Sequence, residues 1–151
     1  MTGEQRLRAA RALWNDADAR AEQIQAAGVI AQQLKFRPKT VAVLDKDKRA
    51  RYLTNVVNVP DELAAKLLIG YHLAEQRPMM STFLDAIGVA HEAGLINDDA
   101  ASPDPTRMAG AAAAIAAGYP AEDVAVYLNT LLWQDPDRWS VLADLPESRL
   151  A

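Results

Sequence analysis

Between Glu4 and Leu34 no proline interrupts the chain, and small or apolar residues return at Leu7, Ala10, Trp14, Ala17, Ala21, Ile24, Gly28 and Ala31. The steps alternate between three and four, which is heptad spacing and predicts a helical seam. One helix over this stretch would be about 46 Å long, whereas a compact chain of this length has a radius of gyration of about 15 Å. The polar run Asn15-Asp16-Ala17-Asp18 supplies short side chains that compete for backbone hydrogen bonds and can cap a new helix. The pattern therefore favours two helices, or one bent helix, over a straight rod, and its seam is a surface through which two copies of the chain could pair.

Beyond this segment, proline sets the rhythm. Arg37-Pro38 ends the first stretch, because the residue before proline is pushed out of the α region. Val41, Leu44, Ala50, Leu53 and Val57 then recur in loose helical spacing around a charged middle, predicting two short helices or one with a charged bend. Val59-Pro60-Asp61-Glu62 is a start signal, with proline in the first turn and carboxylates at the positive helix end. The helix it launches runs to about Gln76, with apolar residues nearly all round. Arg77-Pro78 breaks it, and Met79, Met80, Phe83, Leu84 and Ile87 line the next, so that residues 61 to 92 read as a central helix pair. From Gly94 the segment LINDDAASPDPTR reads as loop, followed by a helix from Pro105 to Ala117 with Gly118 just past its end. Tyr119-Pro120-Ala121-Glu122-Asp123 repeats the start signal for a helix ending near Gln134, and Trp139, Leu142 and Leu145 suggest a last short helix. Trp133, at the border of the Leu128 and Leu132 stripe, is expected to close over it as core.

Composition strengthens the helical reading. Thirty of the 151 residues are alanine, the best helix former, while β-branched and aromatic residues are sparse. We expect an all-α chain forming one compact bundle or array of about six to eight helices: a long or bent N-terminal segment over residues 1–36 and a helical body over 37–151. No cysteine is present, which removes disulfides, thiolate metal sites and cysteine nucleophiles. The charged start MTGEQRLRAARAL lacks an apolar signal core, and the longest uncharged run, Met108 to Ala121, is too short and alanine-rich to span a bilayer. The expectation is a cytoplasmic protein with no membrane partner.

Charge is unevenly spread. Residues 1–51 carry 11 Lys or Arg against 6 Asp or Glu, and residues 98–151 carry 3 against 9. The densest basic run, Lys35 to Arg51, holds seven cations and two acids, enough for phosphate contacts through Lys46, Lys48, Arg49 and Arg51. Phe36 is its one aromatic, so base stacking is not suggested and nucleic acid is not the expected partner.

The two histidines, His72 and His91, stand with Arg77 and Asp85 in one stretch and make the candidate ligand or catalytic pocket. A histidine oriented by a carboxylate is the usual general acid or base. A di-metal bundle would want Glu-x-x-His; the order here is His72-x-x-Glu75, without a second copy, so no metal or cofactor is expected. The run TFLDAIGVAHEAGLI has the outline of a helix-turn-helix, but its second helix would carry a glycine and acids where basic side chains are needed. There is no glycine-rich phosphate loop, GxSxG or HExxH. By elimination the expectation is a non-catalytic interaction domain, binding a protein partner or itself.

Overall fold

The computed structural model describes residues 2–150, and the helical expectation holds: eight α-helices and a single two-stranded hairpin among them. The contacts group the described chain into two compact units, residues 2–71 and 72–150, with the boundary inside one helix.

In residues 2–71 the first helix, α1 (Gly3–Asn15), opens with a reciprocal capping box: the Gln5 amide N–H donates to Thr2 Oγ1, and the Thr2 N–H donates to Gln5 Oε1 at 2.9 Å. It stops at the polar run, where Asp16 Oδ1 accepts the Asp18 amide. The second helix, α2 (Arg20–Leu34), restarts with a different face inward, burying Ala26 and Ile30. The heptad seam is therefore half correct. Its Ala10 and Trp14 are buried, but Ala17, Ala21, Ile24 and Gly28 are exposed, Ile24 to 63 %. The physical reason is the break, since any non-helical residue between two helices resets their relative phase.

Lys35, in the left-handed region at φ 54°, ends α2, and α3 (Pro38–Val43) follows with proline in its first turn. Asp45 Oδ1 accepts the Lys48 amide and starts α4 (Lys46–Asn55), which packs mainly on α1. The core of this unit is Ala10, Leu13, Trp14, Ala26, Ile30, Val41, Ala50, Leu53, Val57 and Leu63. Its alanines let the helices come close, as the composition suggests.

Helix α5 (Asp61–Glu75) carries the unit boundary: Leu63 and Leu67 belong to the first core and Leu73 packs on the second. In residues 72–150, α6 (Arg77–Ala86) ends earlier than expected. Gly88, at φ +72°, turns the chain, and His91–Glu92 (β1) pairs antiparallel with Leu95–Ile96 (β2), His91 opposite Ile96. The pair of helices reading to residue 92 is thus corrected to a helix and a hairpin, which also removes any second helix from the helix-turn-helix outline. Next come α7 (Pro105–Gly118), which keeps Gly118 inside its last turn rather than beyond it, and α8 (Ala121–Gln134). Two 3-10 turns, Ser140–Asp144 and Pro146–Ser148, take the place of a last α-helix.

Met79, Phe83, Leu84, Ile87, Met108, Ile115, Leu128 and Trp139 fill the second core, where the Phe83 edge meets the Tyr127 ring at 5.7 Å. Trp139 takes the interior place expected of Trp133, which is 52 % exposed at the end of α8.

The resetting of α2 has a direct test. Ile30 is fully buried and Ile24, six positions earlier on the same helix, is mostly exposed. Ile30→Ala should lower unfolding free energy by about 2–4 kcal/mol, and Ile24→Ala by less than about 0.5 kcal/mol, in urea denaturation. Equal losses would mean that the seam, not the reset face, is packed.

Candidate functional site

Three of the four predicted pocket residues meet at the hairpin after α6. The turn between its strands is Ala93-Gly94, both at positive φ (48° and +94°), as a two-residue type I′ hairpin turn requires. A Cβ on Gly94 would stand 2.9 Å from Met80 Cβ, so glycine is demanded twice, by backbone conformation and by the approach of α6.

His91 and Asp85 form a close pair, Nε2 to Oδ1 2.6 Å, with the imidazole largely covered and the carboxylate open to solvent. The other ring nitrogen decides what the pair can do. The Gly94 amide donates to His91 Nδ1 at 3.0 Å, so Nδ1 holds the lone pair and Nε2 the proton that it donates to Asp85. A general base or a metal ligand needs a free imidazole lone pair. Here that pair is engaged by the turn's own backbone. Arg77 is engaged the same way: its Nε donates to the Leu73 carbonyl at 2.7 Å and its Nη1 to the Ala93 carbonyl at 2.8 Å. Carboxylate, imidazole and guanidinium together clamp the hairpin to the start and end of α6.

The fourth residue is not part of this clamp. His72 is buried in α5 with its ring 5.5 Å from that of Tyr127 in α8. Burial pushes the Tyr127 hydroxyl far above its ordinary range, so it stays protonated. Among the described residues no group of three or more His, Cys, Asp or Glu is placed to hold a metal ion.

The predicted basic surface divides likewise. Arg49 lies over the Trp14 ring at 4.5 Å, a cation–π contact within the first unit. Arg51 pairs with Asp47 one turn before it, at 3.0 Å, and Asp47 also receives Arg11 at 2.7 Å. Hydrogen bonding to Arg11 holds the Asp47 carboxyl below its usual range, with the charges of Arg11 and Arg51 adding to this. Lys46 and Lys48 are exposed, and Lys48 borders a shallow groove of about 410 Å³ along α4, with Arg51, Tyr52, Asn55 and Val56. The sequence reading counted Lys35, Arg37 and Lys39 in the basic run but left them out of the candidate surface; Lys35 and Arg37 are exposed just before α3 and Lys39 on it, and Val43, which the reading did not single out, is 82 % exposed on the same helix. Their signal was present as a basic run with one apolar face too short to bury.

Compared with models of known families, with characterised proteins and with solved structures, the chain matches none. No helix among the described residues is long and apolar enough to cross a membrane.

The turn geometry yields a paired prediction. Gly94→Ala should destabilise the chain by about 2 kcal/mol or more, through backbone strain and the clash with Met80. Ala93→Gly should be neutral or stabilising by up to about 1 kcal/mol, because it relieves a left-handed alanine. Thermal and urea unfolding of the two variants measure this; equal effects would mean another turn.

Proposed function

We propose that the chain is a non-catalytic interaction domain that docks other polypeptides, self-association included, and that it works in the cytoplasm. The observation that supports this most is the double engagement of His91. Where the predicted site residues meet, the imidazole already holds a backbone amide on one nitrogen and a carboxylate on the other, and Arg77 holds two carbonyls. Groups bound to their own backbone contribute stability, not proton transfer.

What remains open to other molecules is mainly apolar and charged surface. Ile24, Val43, Val56, Leu95 and Trp133 are each more than half exposed. Ile24 and Val43 lie on α2 and α3, which pack on one another. Covering one such side chain at an interface is worth about 1.5–3 kcal/mol, and tryptophan is frequent among the residues that dominate binding energy. The lack of cysteine fits a reducing compartment.

A photoreactive phenylalanine analogue placed at Ile24, at Val43 or at Trp133, with Glu4 as control position, tests the reading in cells. Discrete adducts at one or more of the apolar positions and none at Glu4 are expected, with sedimentation of the purified chain reporting whether the adduct is a second copy. A strict monomer over a wide concentration range, with no discrete adduct at any of the three, would contradict the proposal.

A further inference from the structure

The two units differ in charge as well as in sequence. Residues 2–71 carry 12 Lys or Arg against 8 Asp or Glu, and residues 72–150 carry 4 against 12. Within the basic unit, the acids nearest α3 are already in use. Asp45 caps α4 by accepting the Lys48 amide at 2.8 Å, and Asp47 is held by Arg11 and Arg51. Five exposed cations, Lys35, Arg37, Lys39, Lys46 and Lys48, have side chains with no hydrogen bond or ion pair among the described residues.

Lys35 and Arg37 precede α3, Lys39 lies on it, and Lys46 and Lys48 follow on α4; α3 itself is a six-residue helix that buries only Val41. The chain from Lys39 to Lys46 spans at most about 16 Å, four helical steps and three extended ones. Neighbouring cations are thus within one to two screening lengths of each other and act on an approaching anion together. Between Lys39 and Lys46 in the chain stand the exposed Ala42 and Val43, the latter 82 % accessible. Positive charge on both sides of an aliphatic knob is the complement of negative charge on both sides of an aliphatic patch.

We infer that the surface around α3 docks a partner's polypeptide segment in which carboxylates flank one or two aliphatic residues; this rests on the interaction-domain reading above. The chemistry separates this occupant from other anions. A nucleic acid would bring phosphates for the lysines but nothing for Val43, and the local aromatics, Phe36 and Tyr52, are half-buried and pack edge-on against one another at 6.0 Å. An anionic lipid surface would also attract the five cations, and vesicles in the titration distinguish it.

The test titrates the full chain into a short labelled peptide of alternating Glu and Leu pairs, followed by fluorescence anisotropy. An all-Glu peptide of equal charge, single-stranded oligothymidine and phosphatidylserine vesicles are measured beside it. The Glu–Leu peptide should bind about ten-fold tighter than the all-Glu peptide and tighter than the oligonucleotide or vesicles. Lys39→Glu with Lys46→Glu should weaken it about ten-fold or more, and Val43→Ser about five-fold. Arg6→Glu with Arg20→Glu, an equal charge change on two other exposed residues, should alter it less than about two-fold. Circular dichroism checks that every variant is folded. Equal affinity for the two peptides, preference for oligonucleotide or vesicles, or insensitivity to Val43→Ser would overturn the inference. If these occur while adducts at Ile24 or Trp133 persist, the α3 surface is wrong and the interaction reading survives; if all are lost, both fall.

Discussion

Every helix end leaves backbone donors or carbonyls without intrahelical partners, and the eight helices among the described residues create many such ends. Those groups cannot be buried unbonded without loss of stability. Much of the polar sequence is occupied in bonding backbone groups at helix ends and in the segments that connect them. Gln23 reaches back across the first break to the Leu13 and Asp16 carbonyls, and Gln33 exchanges two hydrogen bonds with the Asn58 backbone. Arg138 donates to the Ala101 carbonyl, and Asn129 ties Ala125 in α8 to Ser148 in the closing turn. Arg77 and His91 do the same at the hairpin.

The same demand accounts for the hydrogen bonds that His91 and Arg77 make at the hairpin. An imidazole beside a carboxylate has the outline of an acid–base pair, and its identity as a fastener becomes visible only through the third partner, the Gly94 amide. Similarly, Arg49 and Arg51 belong to a basic run yet are turned to Trp14 and Asp47. With those engaged, the exposed cations of the first unit without a partner side chain among the described residues include Lys35, Arg37, Lys39, Lys46 and Lys48, near the exposed Val43 of α3.

Much of the architecture was legible because its signals are local. Proline with two acids marks the start of α5, Arg-Pro its end, and the polar run after Asn15 the first break. The hairpin was hidden for the opposite reason: two-residue strands have no measurable period, and Ala93 is an uncommon occupant of a left-handed turn position. Trp133 is exposed against expectation because a tryptophan at the edge of an apolar stripe can face either way, whereas Trp139, read as packing on the body, is buried. The capping box of Thr2 and Gln5 was readable and overlooked. The bonds from Arg77 to Ala93 and from Gln33 to Asn58 were not readable at all, since they join residues 16 and 25 positions apart.

The central claim is that His91 serves the backbone rather than a substrate, and amide hydrogen exchange at Gly94, followed by NMR in the native chain and in His91→Phe, addresses it most directly. The Gly94 amide should exchange slowly in the native protein and lose about ten-fold or more of its protection when the imidazole is removed. A Gly94 amide that exchanges freely in the native chain, or one whose protection is unchanged by the substitution, would contradict the account.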